Sequence, residues 1–259
     1  MKLLRKTLFV FIAVLTLFSI VGCKSEETTE PKAERNVKTY VDWSFNELNV
    51  GDPIPDTAIE GAGFEVVRKD DGETWISSSN PSDWSAIYFG TPDESGNEIF
   101  LKDWSVSTVM YLPEENEGLS NDGGIPILVG SAGRYDVAVN IGGEESQVNV
   151  WHAGNTANGP MATSSDPEKG AQVESLNLQP GVEYTFTVLG RYEGMTDEGD
   201  EFFTIYIFID DKLIVKQDGL AYWTGGFGIR AWQSAIEYRK ITVSDFPLLA
   251  PDGKDYYNK

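Results

Sequence analysis

From Thr39 to Phe246 the chain has almost no three-to-four-residue apolar periodicity. Strand-like alternation recurs instead, at short intervals, between clusters of Gly, Asn, Asp and Pro. That pattern specifies an all-β sandwich or barrel and leaves little room for helices. The stretch from Gly225 to Val243 is the most informative. A glycine-rich turn leads into Phe227-Gly228-Ile229-Arg230-Ala231-Trp232, where Ile229 and Ala231 share one face and Arg230 and Trp232 the other. In the next run Ile236 and Tyr238 have one parity and Ile241 and Val243 the opposite one. All four reach a core only if an extra residue is inserted near Arg239-Lys240, as in a β-bulge. The two runs read as the last hairpin of the domain.

Further strands are expected over residues 40–50, 63–67, 75–79, 84–89, 104–112, 173–178, 182–188, 202–209 and 212–215. Two others are legible in detail. Over residues 134–141, Tyr135, Val137, Val139 and Ile141 share one face, and Arg134, Asp136, Ala138 and Asn140 the other. Over residues 147–152, Val148 and Val150 point inward, leaving Gln147, Asn149 and Trp151 opposite. In residues 202–209, Ile205, Ile207 and Ile209 alternate with Thr204, Tyr206 and Phe208. Apolar character on both sides implies a central strand with something aromatic on its second face.

The two ends read differently from this middle. Met1-Lys2-Leu3-Leu4-Arg5-Lys6 is a basic start, and residues 7–21 carry no charge, a run too short for an ordinary spanning helix. It ends Ile20-Val21-Gly22-Cys23, with the only cysteine in the chain. Residues 1–22 thus read as a signal peptide. Residues 24–38 are mostly Glu, Lys and Thr, with one Ser, one Pro and little that is apolar, and cannot bury a core, so 23–38 reads as a flexible tether. Residues 39–246 form the folded domain and 247–259 a short tail. Removing the signal peptide leaves 17 basic against 41 acidic residues, a net charge of −24. Such a chain is a poor partner for nucleic acid or for an anionic lipid surface.

Two resemblances follow from these residues. Ile20-Val21-Gly22-Cys23 resembles the lipobox of bacterial lipoproteins. That implies cleavage before Cys23, lipid on its sulfur, and an extracytoplasmic protein held to a bacterial membrane by acyl chains. The order of turn and strand from Leu178-Gln179-Pro180-Gly181, through Ile207-Phe208-Ile209-Asp210-Asp211, to Gly226-Phe227-Gly228 and Ile241-Thr242-Val243, resembles concanavalin A-like, laminin-G-like jelly-roll domains. The implied fold is a jelly-roll sandwich of two antiparallel sheets. That fold hosts lectins, enzymes and adhesion modules alike.

For an enzyme of this kind, two carboxylates should converge about 5–5.5 Å apart from neighbouring strand positions. No Glu-apolar-Asp run of that type lies within an expected strand, and no catalytic residue is assigned. Asp197-Glu198-Gly199-Asp200-Glu201 reads as a loop, and the single histidine, His152, as a strand-end residue. Acidic loops at Asp70-Asp71-Gly72-Glu73, Asn121-Asp122-Gly123-Gly124 and residues 197–201 offer oxygens to calcium, the one cofactor considered. None has full calcium-loop spacing, and all three read as solvated turns. The positive signal is stacking: Trp151 and Trp232 take the outward parity, beside Gln147, Asn149, Asp136, Asn140 and Arg230. Indole faces pack on the C–H face of a sugar ring, and the polar groups hydrogen-bond its hydroxyls. Non-catalytic binding of a carbohydrate is the expected function. The alternatives are a jelly-roll glycoside hydrolase or polysaccharide lyase, and a protein-binding adhesive module.

Overall fold

The alternation closes into two antiparallel sheets that share one apolar interior. The computed structural model describes residues 36–52, 54, 61–78, 84–91, 95–96, 98–114, 120–153 and 159–258. Cys23 and the preceding segment lie outside the described residues. The strands are β1 Thr39–Ser44, β2 Gly61–Ala62, β3 Phe64–Arg68, β4 Thr74–Ser78, β5 Trp84–Phe89, β6 Trp104–Tyr111, β7 Asp122–Gly130 and β8 Gly133–Asn140. They continue with β9 Gln147–His152, β10 Ala162–Thr163, β11 Glu183–Met195, β12 Glu201–Ile209, β13 Lys212–Ala221, β14 Gly226–Trp232 and β15 Glu237–Asp245. Sheet I runs β13-β12-β11-β6-β15-β4-β3, with β1 also on β15, and sheet II runs β10-β9-β8-β7-β14-β5-β2. The only helical turns among the described residues are the 3-10 turns Phe45–Glu47 and Pro167–Lys169.

The core lies between the sheets. Val106, Phe186, Val188, Ile205 and Ile207 face Ile125, Val137, Val139, Val148, Val150 and Phe227, all without solvent exposure. Each such burial contributes about 1.5–3 kcal/mol. With one cysteine in the chain, no internal disulfide supplements this packing. Trp104 of β6 meets Phe227 of β14 across the interior at 5.1 Å between ring centroids. It fits because residue 190 is glycine: a Cβ there would stand 2.2 Å from Trp104 Cζ2.

The bulge is where the alternation demands it. The register of β15 on β6 shifts between Tyr238 and Lys240, and Ile236, Tyr238, Ile241 and Val243 are all fully buried. The expected hairpin, however, does not form. β14 pairs with β5 and β7 in sheet II, whereas β15 pairs with β6, β4 and β1 in sheet I. Residues 233–236 carry the chain from one layer to the other, with Gln233 at φ 49°. Core-facing parity is satisfied either way, because both sheets face the same interior. Tyr238 then joins the layers: its hydroxyl accepts from Gly124 N–H at 2.9 Å and donates to the Arg230 carbonyl.

Three more expectations change. Residues 173–178 form no strand; Leu176 and Leu178 plug one end of the core while the backbone of Leu178 bonds to Ser146 Oγ, its N–H donating at 3.0 Å. The first strand ends at Ser44, where the Phe45–Glu47 turn buries Phe45. Of residues 121–124, read as a solvated turn, Asp122, Gly123 and Gly124 instead begin β7, a central strand of sheet II. Gly123 is there for space, since a Cβ would lie 2.4 Å from Ile236 Cδ1 and 2.9 Å from the Tyr238 hydroxyl.

The C-terminal residues pack as a strap over the outer face of sheet I. Phe246 and Ala250 are buried, and Tyr256 and Tyr257 pack with them on Leu189, Tyr206 and Phe208. Arg191 Nη1 donates to the Tyr256 carbonyl at 2.7 Å, and the Tyr257 hydroxyl donates to Asp103 Oδ2 at 3.2 Å. This is the aromatic cover that the two-sided apolar pattern of β12 implies. It closes the β11–β13 part of sheet I and directs attention to the outer face of sheet II.

Candidate functional site

Register defines the outer face of sheet II. One row across the strands reads Trp84, Trp232, Asp122, Asn140 and Gln147. The next reads Ala86, Arg230, Gly124, Ala138 and Asn149. Beyond it lie Tyr88 opposite Gly228, and Pro126, Asp136 and Trp151 in line. All seven binding candidates from the sequence therefore sit on one surface. They do not form one cluster. Trp232 and Trp151 lie three strands and two rows apart, about 20 Å along a sheet with ~4.8 Å between strands and ~3.3 Å per residue. Trp232 is 51% exposed and Trp151 half-buried. Gln147 is exposed, and Asn149 and Asn140 are half-buried. Asp136 and Arg230 face the same way but are buried.

The centre of this face is built by residues that sequence reasoning missed. Trp84 and Tyr88 come from β5, whose other face carries Ile87 and Phe89. With apolar side chains on both sides, the strand gives no sign of which face is open. The Trp84 indole receives two guanidinium groups, Arg230 at 5.1 Å and Arg134 at 5.0 Å from the ring centroid. Arg134 also lies 5.7 Å from the Tyr88 ring. Side chains of β8 and β5 thus meet across β7 and β14, and Tyr88 packs close over Gly228, where a Cβ would lie 2.8 Å from its Cδ1. Cation–π contacts of this kind contribute about 0.5–2 kcal/mol each, more where desolvated.

Two carboxylates complete the cluster. Arg230 Nη2 donates to Asp122 Oδ1 at 3.0 Å, and Arg134 Nε donates to Asp136 Oδ1 at 3.0 Å. Burial raises the Asp122 carboxyl above the usual carboxylate range; Arg230 opposes the shift and the nearby Asp136 adds to it. The surface charge is thus locally balanced, within a strongly acidic chain. Planar aromatic faces flanked by donors and acceptors can hold a ligand that is apolar on its faces and polar on its rim.

The remaining candidates lie elsewhere. His152 ends β9 in edge contact with Tyr135 and Trp223, at 5.7 and 5.6 Å between centroids. Asp70 and Asp71 occupy the β3–β4 turn. Residues 196–200 form the β11–β12 turn, beside a surface depression of about 510 Å³ lined by Asp200, Glu201, Phe202 and Tyr222. Among the described residues no group of three or more His, Cys, Asp or Glu side chains could hold a metal ion.

No protein-family model matches the chain, and no curated protein matches it. Solved structures do. Alginate lyase Aly36B, as a mutant in complex with alginate trisaccharide, is 11% identical at a TM-score of 0.51, over 80% of this chain and 98% of that one. The carbohydrate binding module CBM66 from Bacillus subtilis is 14% identical at a TM-score of 0.42, over 72% and 93%. The metal-free carbohydrate recognition domain of Emp46p is 10% identical at a TM-score of 0.42, over 70% and 85%. The chain is a jelly-roll sandwich of two antiparallel sheets. At such identities the likeness extends to fold alone.

Proposed function

We propose that this protein is a lipid-anchored, extracytoplasmic carbohydrate-binding protein, and that the outer face of sheet II is its binding surface. One observation carries the reading: Trp84, Trp151 and Trp232, each at least partly open to solvent, share that face with the Arg, Asp, Asn and Gln groups described above. A sugar presents C–H faces to indoles and hydroxyls to such side chains. That a similar sandwich, alginate lyase Aly36B, is solved with a trisaccharide is in keeping with this reading. The strap on sheet I argues for the opposite sheet, because it already covers part of the other broad face.

Anchoring rests on the sequence around Cys23. Cys23→Ser should abolish incorporation of labelled fatty acid and move the protein from the membrane to the soluble fraction; labelling that persists in this variant refutes the anchor. Binding is tested by incubating the protein with a panel of polysaccharides, scoring retention and released products together. Retention without products is the expected result. Product release would replace the binding reading with an enzymatic one and would make Asp122 and Asp136 the first carboxylates to substitute. Neither retention nor products would leave the adhesive-module reading in its place.

A further inference from the structure

Arg230 is built in a way that packing alone does not explain. Its side chain is 3% exposed, and among the described residues only Nη2 has a hydrogen-bond partner, Asp122 Oδ1 at 3.0 Å. Nε and Nη1 are buried and have no hydrogen-bond partner among the described residues. Nε carries one N–H and Nη1 two, so three donor bonds are left unmet. Leaving buried donors of a charged group unmet is costly, and native structures rarely do so without a reason. The surroundings offer no remedy. The row neighbours of Arg230 on this face are Ala86, Gly124 and Ala138, which bring no side-chain acceptor. The Trp84 ring gives its π face to the cation but accepts no conventional hydrogen bond.

Resting on the glycan-binding reading, we infer that Arg230 receives an anionic substituent of the bound sugar, a carboxylate or a sulfate ester. Such a group supplies several acceptor oxygens in one place and forms charge-assisted bonds, roughly twice as strong as neutral ones. Hydroxyls of a neutral sugar supply single acceptors and would leave part of the guanidinium unmet. Arg134, 5.0 Å from the same indole and paired with Asp136, adds a second guanidinium at the edge of the position. Trp84 is itself only partly buried, and its indole lies over the guanidinium. Entry of the anion therefore requires the ring to move aside, after which its face is available to the sugar. The acidic remainder of the surface does not forbid this approach, because repulsion beyond about 8 Å is largely screened at physiological salt.

The test is calorimetric titration of the purified protein with charged polymers and their neutral counterparts. Polygalacturonate against its carboxyl-reduced form reads the carboxylate, and dextran sulfate against dextran reads the sulfate. At least one charged polymer should bind about tenfold or more tightly than its neutral counterpart at 0.15 M salt. Arg230→Gln should bring that ratio near one, and Arg230→Lys should keep part of it. The wild-type comparison stands whether or not Arg230→Gln folds. Equal affinity for charged and neutral forms overturns the inference and leaves the glycan-binding reading intact. Absence of binding to all four polymers and to the wider polysaccharide panel overturns both. A preference that survives Arg230→Gln but disappears in Arg134→Gln also overturns the inference, because the receiving cation is then Arg134.

Discussion

Tyr238→Phe removes one oxygen atom from the middle of the molecule and leaves the ring in place. The hydroxyl is fully buried and joins the two layers: Gly124 N–H on β7 donates to it, and it donates to the Arg230 carbonyl on β14. Burial drives the phenol's pKa far above its usual value, so the group acts as a neutral donor and acceptor throughout the accessible range. The phenylalanine variant orphans a buried N–H and a buried C=O, each costing about 1–3 kcal/mol. A loss of about 2–6 kcal/mol follows, with little added for a cavity only an oxygen wide. For a domain of this size one kcal/mol moves Tm by about 2–4 °C, so the melting point should fall by about 4–24 °C. Urea unfolding followed by circular dichroism should show the same loss, as a lower midpoint with unchanged slope. Tyr135→Phe is the internal control. Among the described residues its hydroxyl makes a single bond, to the Ala221 carbonyl at 2.9 Å, and its loss should cost about half as much. A Tyr238→Phe loss below about 1 kcal/mol, or no larger than that of Tyr135→Phe, would refute the claim that this hydroxyl couples the sheets.

Gly190→Ala places a Cβ 2.2 Å from a Trp104 ring that has no exposed surface to move into. Overpacking of this kind should cost about 3 kcal/mol or more by urea midpoint, and a cost under about 1 kcal/mol would mean that Trp104 sits elsewhere. Trp232→Ala removes a half-exposed indole; it should weaken glycan binding about tenfold while shifting Tm by no more than about 2 °C. Unchanged glycan affinity in the folded Trp151→Ala, Trp232→Ala double variant would take both rings out of the site. The strap should loosen in acid. Burial pushes the Asp252 and Glu193 carboxyls up, but hydrogen bonds from Lys254 and Tyr256, and from Thr204 and Arg191, outweigh it and leave both below the ordinary range. Their stabilisation is therefore present above the unfolded carboxylate range and lost as pH falls through the lowered values. Hydrogen exchange of residues 250–258 should show less protection at about pH 3 than at pH 7 once corrected for intrinsic rates, and equal protection would count against these contacts.

What the sequence discloses about this fold divides along a physical line. Parity within a strand is local, and it is legible: Tyr135, Val137 and Val139 point in and Asp136 and Asn140 point out, as alternation requires. The extra residue at Arg239 is legible for the same reason, since Ile236, Tyr238, Ile241 and Val243 cannot otherwise all be buried. The assignment of a strand to a layer is not local. β14 and β15 both turn an apolar side to the same interior, so their patterns are identical whether they pair with each other or with distant strands. β7 was hidden by a different mechanism. Gly123-Gly124 signals a turn by composition, yet here the missing Cβ makes room for Ile236 and the Tyr238 hydroxyl, contributed from over a hundred residues away. The candidate site divides in the same way. Outward residues of β8, β9 and β14 follow from parity. The convergence of Arg134 and Arg230 on Trp84 depends on β5 lying beside β14 and within reach of β8. Burial of Arg230 beneath an indole from residue 84 is a property of that pairing. Chemistry at the centre of the face is thus set by strand order, while its rim is set by alternation.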